Sequence, residues 1–385
     1  MMPREDCKVS WRNIRAVMRK EIQHIVRDRG TLFMVLITPT MMLLIMAYAL
    51  TVDLEHIPIA VLDHNRTKIS RAFVQQITAG DDLDLYAQVG SISEIETMLV
   101  KGEIKAAIII APDFSEAVLS LQGLPMQVIV DGTEPESGNF AIDHIGQRVE
   151  RFIRDAMVDQ MQALGIPEDA LLPIDLRVRA WYNPGLEPRV DMIPGLISMV
   201  LGFPALSVAL ALAHEREHGT LEQLMVSPIG RADLLIGKMI PYIFVGMANV
   251  VIMPILAMLW FDIPFNGNFP LFMLLSVFFL FSILSMGIII GVFMRTQAAA
   301  MAVSFLLIFF PGFFLTGIFF PIASMPEIMR MEAIFLPGTH YAVITRGLFL
   351  TGVGLDILWP YALMLVGLGV LFTGVAALFF RKRLG

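Results

Sequence analysis

The chain has 385 residues, of which 56% are hydrophobic and only 16% charged, which is far more apolar than a soluble domain of this length needs to be. Its mean hydropathy is +0.70, and 27 Phe and 26 Met gather in long runs for which a bilayer is the natural solvent. The formal charge of −7 gives no reason to expect a nucleic-acid partner, and the single cysteine, Cys7, excludes an intramolecular disulfide and a cysteine-based metal site.

In chain order, the first element is an amphipathic helix. Trp11, Ile14, Met18, Ile22 and Ile25 recur at helical spacing, with Arg and Lys on the other face. Such a helix fits the cytoplasmic headgroup region with its apolar side down, or packs on a protein partner. Roughly 30 charged and amphipathic residues precede the first apolar run and no small-residue cleavage site follows it, so that run is expected to stay as an anchor.

Six stretches have the length and apolarity of a spanning helix: Thr31–Leu50, Ile193–Ala213, Ile236–Phe261, Leu271–Phe293, Ala298–Phe320 and Leu358–Phe380. Pro39, Pro204, Pro241, Pro254 and Pro311 fall inside them. Membrane helices tolerate such prolines when neighbours satisfy the freed carbonyls. Eight Lys and Arg in the first 30 residues, and Arg381-Lys382-Arg383 after the last run, place both termini in the cytoplasm. The connections carrying Arg216, Arg231, Lys238 and Arg295 then fall on the same side.

The long segment Thr51–Asp191 is thereby expected outside. It holds 11 Lys and Arg against 23 Asp and Glu, a balance of −12 that leaves +5 for the rest of the chain. Short β-rich runs at Ile57–Leu62, Leu83–Val89, Ala106–Ile110, Gln127–Val130 and Leu176–Trp181 alternate with helical patterns near Ile69–Ile77, Ile92–Val100 and Phe114–Leu121. A longer helix near Phe140–Leu164 gathers Ile142, Ile145, Val149, Phe152, Ile153 and Ala156. This alternation predicts a compact α/β domain, and Asn183-Pro184-Gly185 marks its exit turn.

The most informative polar stretch, His214-Glu215-Arg216-Glu217-His218-Gly219-Thr220-Leu221-Glu222-Gln223-Leu224-Met225-Val226-Ser227-Pro228, follows the second run. Gly219-Thr220 can end one helix and cap the next, with Gln223 completing a capping box. Leu221, Leu224 and Met225 then share a face of a short helix lying across the base of the membrane domain.

Here the chain resembles the permease subunits of type-2 ABC exporters, which include bacterial drug and polysaccharide exporters, and in particular the bacterial subfamily with a large extracytoplasmic domain between spans one and two. The resemblance rests on Glu215-Arg216-Glu217-x-Gly219-Thr220-x-Glu222-Gln223-Leu224-x-x-Ser227-Pro228 and on Leu234-Leu235-x-Gly237-Lys238. It extends to Trp181-Tyr182-Asn183-Pro184 and Phe320-Pro321. It implies an α-helical polytopic membrane protein with six transmembrane helices and an inserted extracytoplasmic α/β domain, located in the bacterial inner membrane. It also implies that Glu215 through Pro228, including Leu221, form a coupling helix against a cytoplasmic ABC ATPase subunit. A second permease copy or paralogue would complete the pathway, and membrane lipid surrounds it. A periplasmic adaptor could bind the outer domain. No cofactor belongs to the chain itself, because ATP is bound by the partner.

His214-Glu215-x-x-His218 also spells the zinc metalloprotease motif, two imidazoles at i and i+4 with a Glu as general base. That alternative needs a third ligand, for which Asp233 is the nearby candidate. No Gly-x-x-x-x-Gly-Lys-Ser/Thr phosphate loop occurs in the sequence, so ATP hydrolysis is expected of another chain. Gly287-x-x-x-Gly291 lets a helix approach closely, within the subunit or at a dimer seam. The segment from Pro321 to Ile357 is apolar without being a span, which suggests a re-entrant hairpin carrying Tyr341 and Arg346. The runs carry almost no ionisable side chains, so an amphiphilic or hydrophobic substrate is expected.

Overall fold

The computed structural model describes residues 10–50, 56–80, 82–120, 123–163, 181–183, 187–220 and 229–380. The chain divides into two compact units, Val52–Val178 and the remainder, Met1–Thr51 with Arg179–Gly385.

The larger unit is a helical bundle. Among the described residues, six of its helices are long and apolar enough to cross a membrane: Arg29–Ala49, Pro188–Glu217, Arg231–Phe261, Phe269–Phe293, Gln297–Phe314 and Leu355–Phe379, with mean hydropathies between 1.8 and 2.6. These are spans 1 to 6. Span 2 is the central one, with 89% of its most apolar window buried against 61% for span 4 and 33% or less for the others.

Prolines shape two of the spans. Span 2 is broken at Leu201–Gly202, between the helices Pro188–Val200 and Phe203–Glu217. Pro204 lies just past the break, where it has no N–H for the carbonyl of Val200 and its ring would clash with it. Span 5 widens into a π turn at Phe305–Phe309, where the Phe310 amide bonds the carbonyl of Phe305. Pro311 follows immediately, and a π turn accommodates a missing donor. Helical structure ends at Phe314, short of the apolar run that continues to Phe320.

Spans 2 and 4 touch backbone to backbone. A Cβ on Gly287 would strike the carbonyl oxygen of Ala205, and one on Gly291 would lie 2.8 Å from the Cβ of Leu212 and 3.0 Å from the Ala209 carbonyl oxygen. The Gly287-x-x-x-Gly291 pattern is therefore a packing seam within the subunit. After span 5, the helix Pro337–Arg346 returns into the bundle. Its fully buried Tyr341 stacks on Phe279 of span 4 at 4.1 Å and shares a 2.6 Å hydrogen bond with Ser276.

The N-terminal helix, Trp11–Arg27, packs on span 3. Gly237 allows this approach, since a Cβ there would come within 2.7 Å of Val17. The buried stripe is Ile14, Val17, Glu21 and Ile25. Trp11 and Ile22, expected on the apolar face, are 69% and 46% exposed. The two stripes lie about 60° apart around a helix of 3.6 residues per turn, so span 3 takes one and leaves the other free.

Among the described residues, the smaller unit holds a four-stranded sheet in the order β2-β1-β3-β4, with β1 Ile57–Asp63, β2 Leu83–Gln88, β3 Ala106–Ile110 and β4 Met126–Val130. β1 is parallel to β2 and β3, while β4 is antiparallel to β3. One face packs on the helices Lys68–Ile77, Phe114–Leu119 and Pro135–Ala163 around Phe73, Phe114 and Phe152. Phe73 lies 5.1 and 5.0 Å from the other two rings. Helix Ile92–Val100 covers the other face through Ile95. On the long helix, Ala141, Ile145 and Phe152 are buried and Ile142 is 48% exposed. Of the expected strand Leu176–Trp181, all but Trp181 lies outside the described residues.

Candidate functional site

Span 2 ends on the residues singled out by the sequence, and successive residues of a helix fan out by about 100°. Glu215, Arg216 and Glu217 accordingly reach three different neighbours. Glu215 turns inward and is 8% exposed. Its Oε2 lies 2.9 Å from the Nζ of Lys238 on span 3, and its Oε1 accepts a hydrogen bond from Lys20. Lys238, 2% exposed, also donates to Glu21 of the N-terminal helix at 2.8 Å. Two carboxylates and two ammonium groups thus cancel in a largely buried set. Each ion would cost several kcal/mol to bury alone.

Arg216 donates to the carbonyl oxygens of Val292 and Met294, the latter at 3.4 Å, and so satisfies the last carbonyls of span 4. Glu217 accepts from the backbone N–H of Gln297 at 3.1 Å and from its side-chain amide at 3.4 Å. A carboxylate is favoured there, at the N-terminus of span 5. The end of span 2 is therefore a hub that fixes the N-terminal helix and the adjacent ends of spans 3, 4 and 5.

Gly219 follows at φ +69°. A Cβ there would meet nothing within 4 Å, so the requirement for glycine is conformational. The hydroxyl of Thr220 turns back to donate to the Glu215 carbonyl at 3.1 Å. Leu221, Glu222, Gln223, Leu224, Ser227 and Pro228 lie outside the described residues.

Glu21, Lys20 and Gln297 complete the hub and were not singled out from the sequence, whereas Lys238 was named there only as a cytoplasmic-side cation and a member of the family motif. A signal existed for the first: an acid on the stripe Ile14, Val17, Ile25 is out of place unless it meets a cation. Asp233, 2% exposed, belongs to the same junction. It accepts from the Ser10 amide at 2.9 Å and from Asn13 Nδ2 at 3.0 Å, fastening the start of the N-terminal helix to span 3.

This geometry does not support the zinc reading. Glu215, its required general base, is paired with two lysines, and Asp233 is taken up by Ser10 and Asn13. The rings of His214 and His218 pack 4.1 Å apart, with His218 Nδ1 3.0 Å from the His214 carbonyl oxygen. Among the described residues no three His, Cys, Asp or Glu are grouped to hold a metal ion.

Between the N-terminal helix and span 1, Asp28 accepts from the Gly30 and Thr31 amides at 3.0 and 3.2 Å and from the Thr31 hydroxyl. The Thr31 hydroxyl above all, helped by these amides, holds the carboxyl below its usual range. A depressed folded pKa means that the cap's stabilisation is present above the unfolded value of about 3.9 and is lost as pH falls through the folded value. Asp28→Asn is expected to lower the thermal midpoint by a constant amount between about pH 5 and 8. The gap to the parent should close in more acidic buffer, and a gap that widened with acid would contradict the cap.

At the opposite end of the bundle, Arg346 bonds the Asp191 carboxylate at 2.8 Å and the Gly317 carbonyl at 2.9 Å. It ties the start of span 2 to the segment after span 5.

The six spans, with their broken second helix and the charged hub at its end, make the larger unit a polytopic helical membrane domain. Residues 29–378 match the family described as ABC-2 family transporter protein, and the chain belongs to that family. Membership implies pairing with an ABC ATPase subunit. The chain is 29% identical over 380 residues to a probable multidrug ABC transporter permease, YbhS, of Escherichia coli, covering 98% of each protein. It is 28% identical to the inner membrane transport permease YhhJ of the same organism, over 97% of this chain and 98% of that one. A second probable multidrug ABC transporter permease of E. coli, YbhR, is 26% identical over 95% of this chain and 98% of its own length.

Proposed function

We propose that the chain is the permease subunit of an ATP-driven exporter that moves an amphiphilic or hydrophobic substrate, drug-like or lipid-like, out of the cytoplasm or inner leaflet. The hub at the end of span 2 carries this reading. A push on the turn after Gly219 reaches three other spans and the N-terminal helix through Glu215, Arg216 and Glu217. A separate ATPase subunit would seat on the segment that includes Leu221, Glu222, Gln223, Leu224, Ser227 and Pro228. The chain would pair with a second copy or a paralogue in the bacterial inner membrane, with both termini cytoplasmic and Val52–Val178 outside, where an adaptor can reach it. The chain itself then performs no catalysis and binds no cofactor.

The family membership and the names of the E. coli relatives support the exporter reading. The scarcity of ionisable side chains in the spans supports an apolar or amphiphilic cargo. A mild-detergent pull-down of the tagged chain is expected to recover a phosphate-loop ATPase and ATP hydrolysis in the same eluate. Glu222→Lys should lower the recovered ATPase about tenfold, equivalent to roughly 1.4 kcal/mol, while the protein stays inserted in the membrane. Recovery unchanged by that reversal would remove the coupling role from this segment.

A further inference from the structure

In the smaller unit, a groove of about 750 Å³ lies beside the edge of the sheet, between β2 and the helix Lys68–Ile77. Its floor is apolar, from Val61, Val74 and Leu85, and its rim carries Arg66, Arg71 and Gln88. Leu85 shares a strand face with fully buried Leu83, yet is 37% exposed. The described helices that cover the rest of this face thus leave Leu85 partly uncovered. β2 is the terminal strand, so among the described residues its outer N–H and C=O groups have no strand partner, which makes it a template for an added strand.

The charges at the rim are set against those of the unit. Within a segment of net charge −12, Arg66 and Arg71 stand together, and among the described residues neither guanidinium has a carboxylate within ion-pair distance. The acid among the lining residues, Asp63, is taken up by the amides of Asn65 and Arg66, both at 2.9 Å, and by the Ser70 hydroxyl at 2.7 Å. Those bonds hold Arg66 at φ +55°, a left-handed conformation uncommon for a side-chain-bearing residue and one that tends to mark functional positions. The loop is thus fixed with a free cation at the mouth of the groove.

We propose that this groove receives an extended acidic segment of a partner protein. The segment adds as a strand along the outer edge of β2, lays an apolar side chain over Leu85 and places carboxylates on Arg66 and Arg71. The inference stands on this unit alone, and its test involves neither ATP nor transport, so its failure would leave the exporter reading intact.

The test uses the full chain in lipid nanodiscs and a fluorescein-labelled hexapeptide of alternating Glu and Val, read by fluorescence anisotropy. Binding is expected, at least tenfold tighter than that of the matching Lys and Val peptide. Arg66→Glu with Arg71→Glu should weaken it at least tenfold, and Leu85→Asp should do the same. Both sites are on the surface, and an unchanged thermal midpoint will show that the variants are folded. A hexapeptide N-methylated on alternate amides should bind at least tenfold more weakly, because it cannot complete the ladder. Absence of binding by the parent chain overturns the proposal, as does equal binding by the charge-reversed protein or the methylated peptide. Displacement of the peptide by free glutamate at the same concentration would overturn it in favour of a small-carboxylate pocket.

Discussion

Replacing Lys238 by methionine is expected to destabilise the bundle by about 3–5 kcal/mol, because it strips two buried carboxylates of the cation they share. Glu21 is 2% and Glu215 8% exposed, so water cannot take the place of the ammonium. Lys20 alone remains, bonded to Glu215 and 3.7 Å from Glu21. The loss should appear as a lower thermal midpoint in detergent and as detachment of the N-terminal helix, read by proteolysis near Arg27. A triple replacement, Glu21→Leu, Glu215→Leu and Lys238→Met, removes the three buried ions of this set at once. It is expected to recover stability to within about 1 kcal/mol of the parent, since well-packed apolar groups often replace a buried ion set without loss. Transport should not recover with it, because the ion pairs also set the register between span 2, span 3 and the N-terminal helix. A loss below about 1 kcal/mol for Lys238→Met would mean that the carboxylates are solvated.

The second large effect is expected at Gly287. A Cβ there would meet the Ala205 carbonyl oxygen, a backbone atom that cannot change rotamer. Gly287→Val should therefore force spans 2 and 4 apart at a cost of about 1–3 kcal/mol or more. The comparison is with Gly367 and Gly374 on span 6, where an added Cβ meets nothing within 4 Å. There Gly→Ala should be neutral or stabilise by up to about 1 kcal/mol through helix propensity. Thermal midpoints of the three variants decide the matter. Equal effects at all three positions would show that the span 2 and span 4 seam is not close-packed.

The sequence named polar residues at the end of span 2 but not their partners. Glu215, Arg216 and Glu217 read as polar residues at a span end, and nothing in their spacing says which neighbour each one meets. Arg216 reaches carbonyls 76 and 78 positions away, and Glu217 reaches Gln297, 80 positions away. The N-terminal helix shows the same limit. Periodicity identified an amphipathic helix, but two apolar stripes compete on it, and Gly237 and Val17 decide which of them faces span 3. Likewise, Gly287-x-x-x-Gly291 left two partners open, and contact with Ala205, Ala209 and Leu212 selects the one within the subunit.

What the sequence determined by itself is the solvent and the layout. Runs of about 20 apolar residues cannot be satisfied in water, and the switch from long apolar runs to short strand and helix patterns marks the inserted α/β unit. The absence of a phosphate loop is legible there as well. Tertiary structure alone decided the stacking of Tyr341 on Phe279 and the sharing of Lys238 between Glu21 and Glu215. Residues 217 positions apart in the chain, Lys238 and Glu21, stand 2.8 Å apart in space. Hydrophobic period is a local property of the chain. The energy of a buried charge depends on what else is brought to it, and that is known only once the helices are packed.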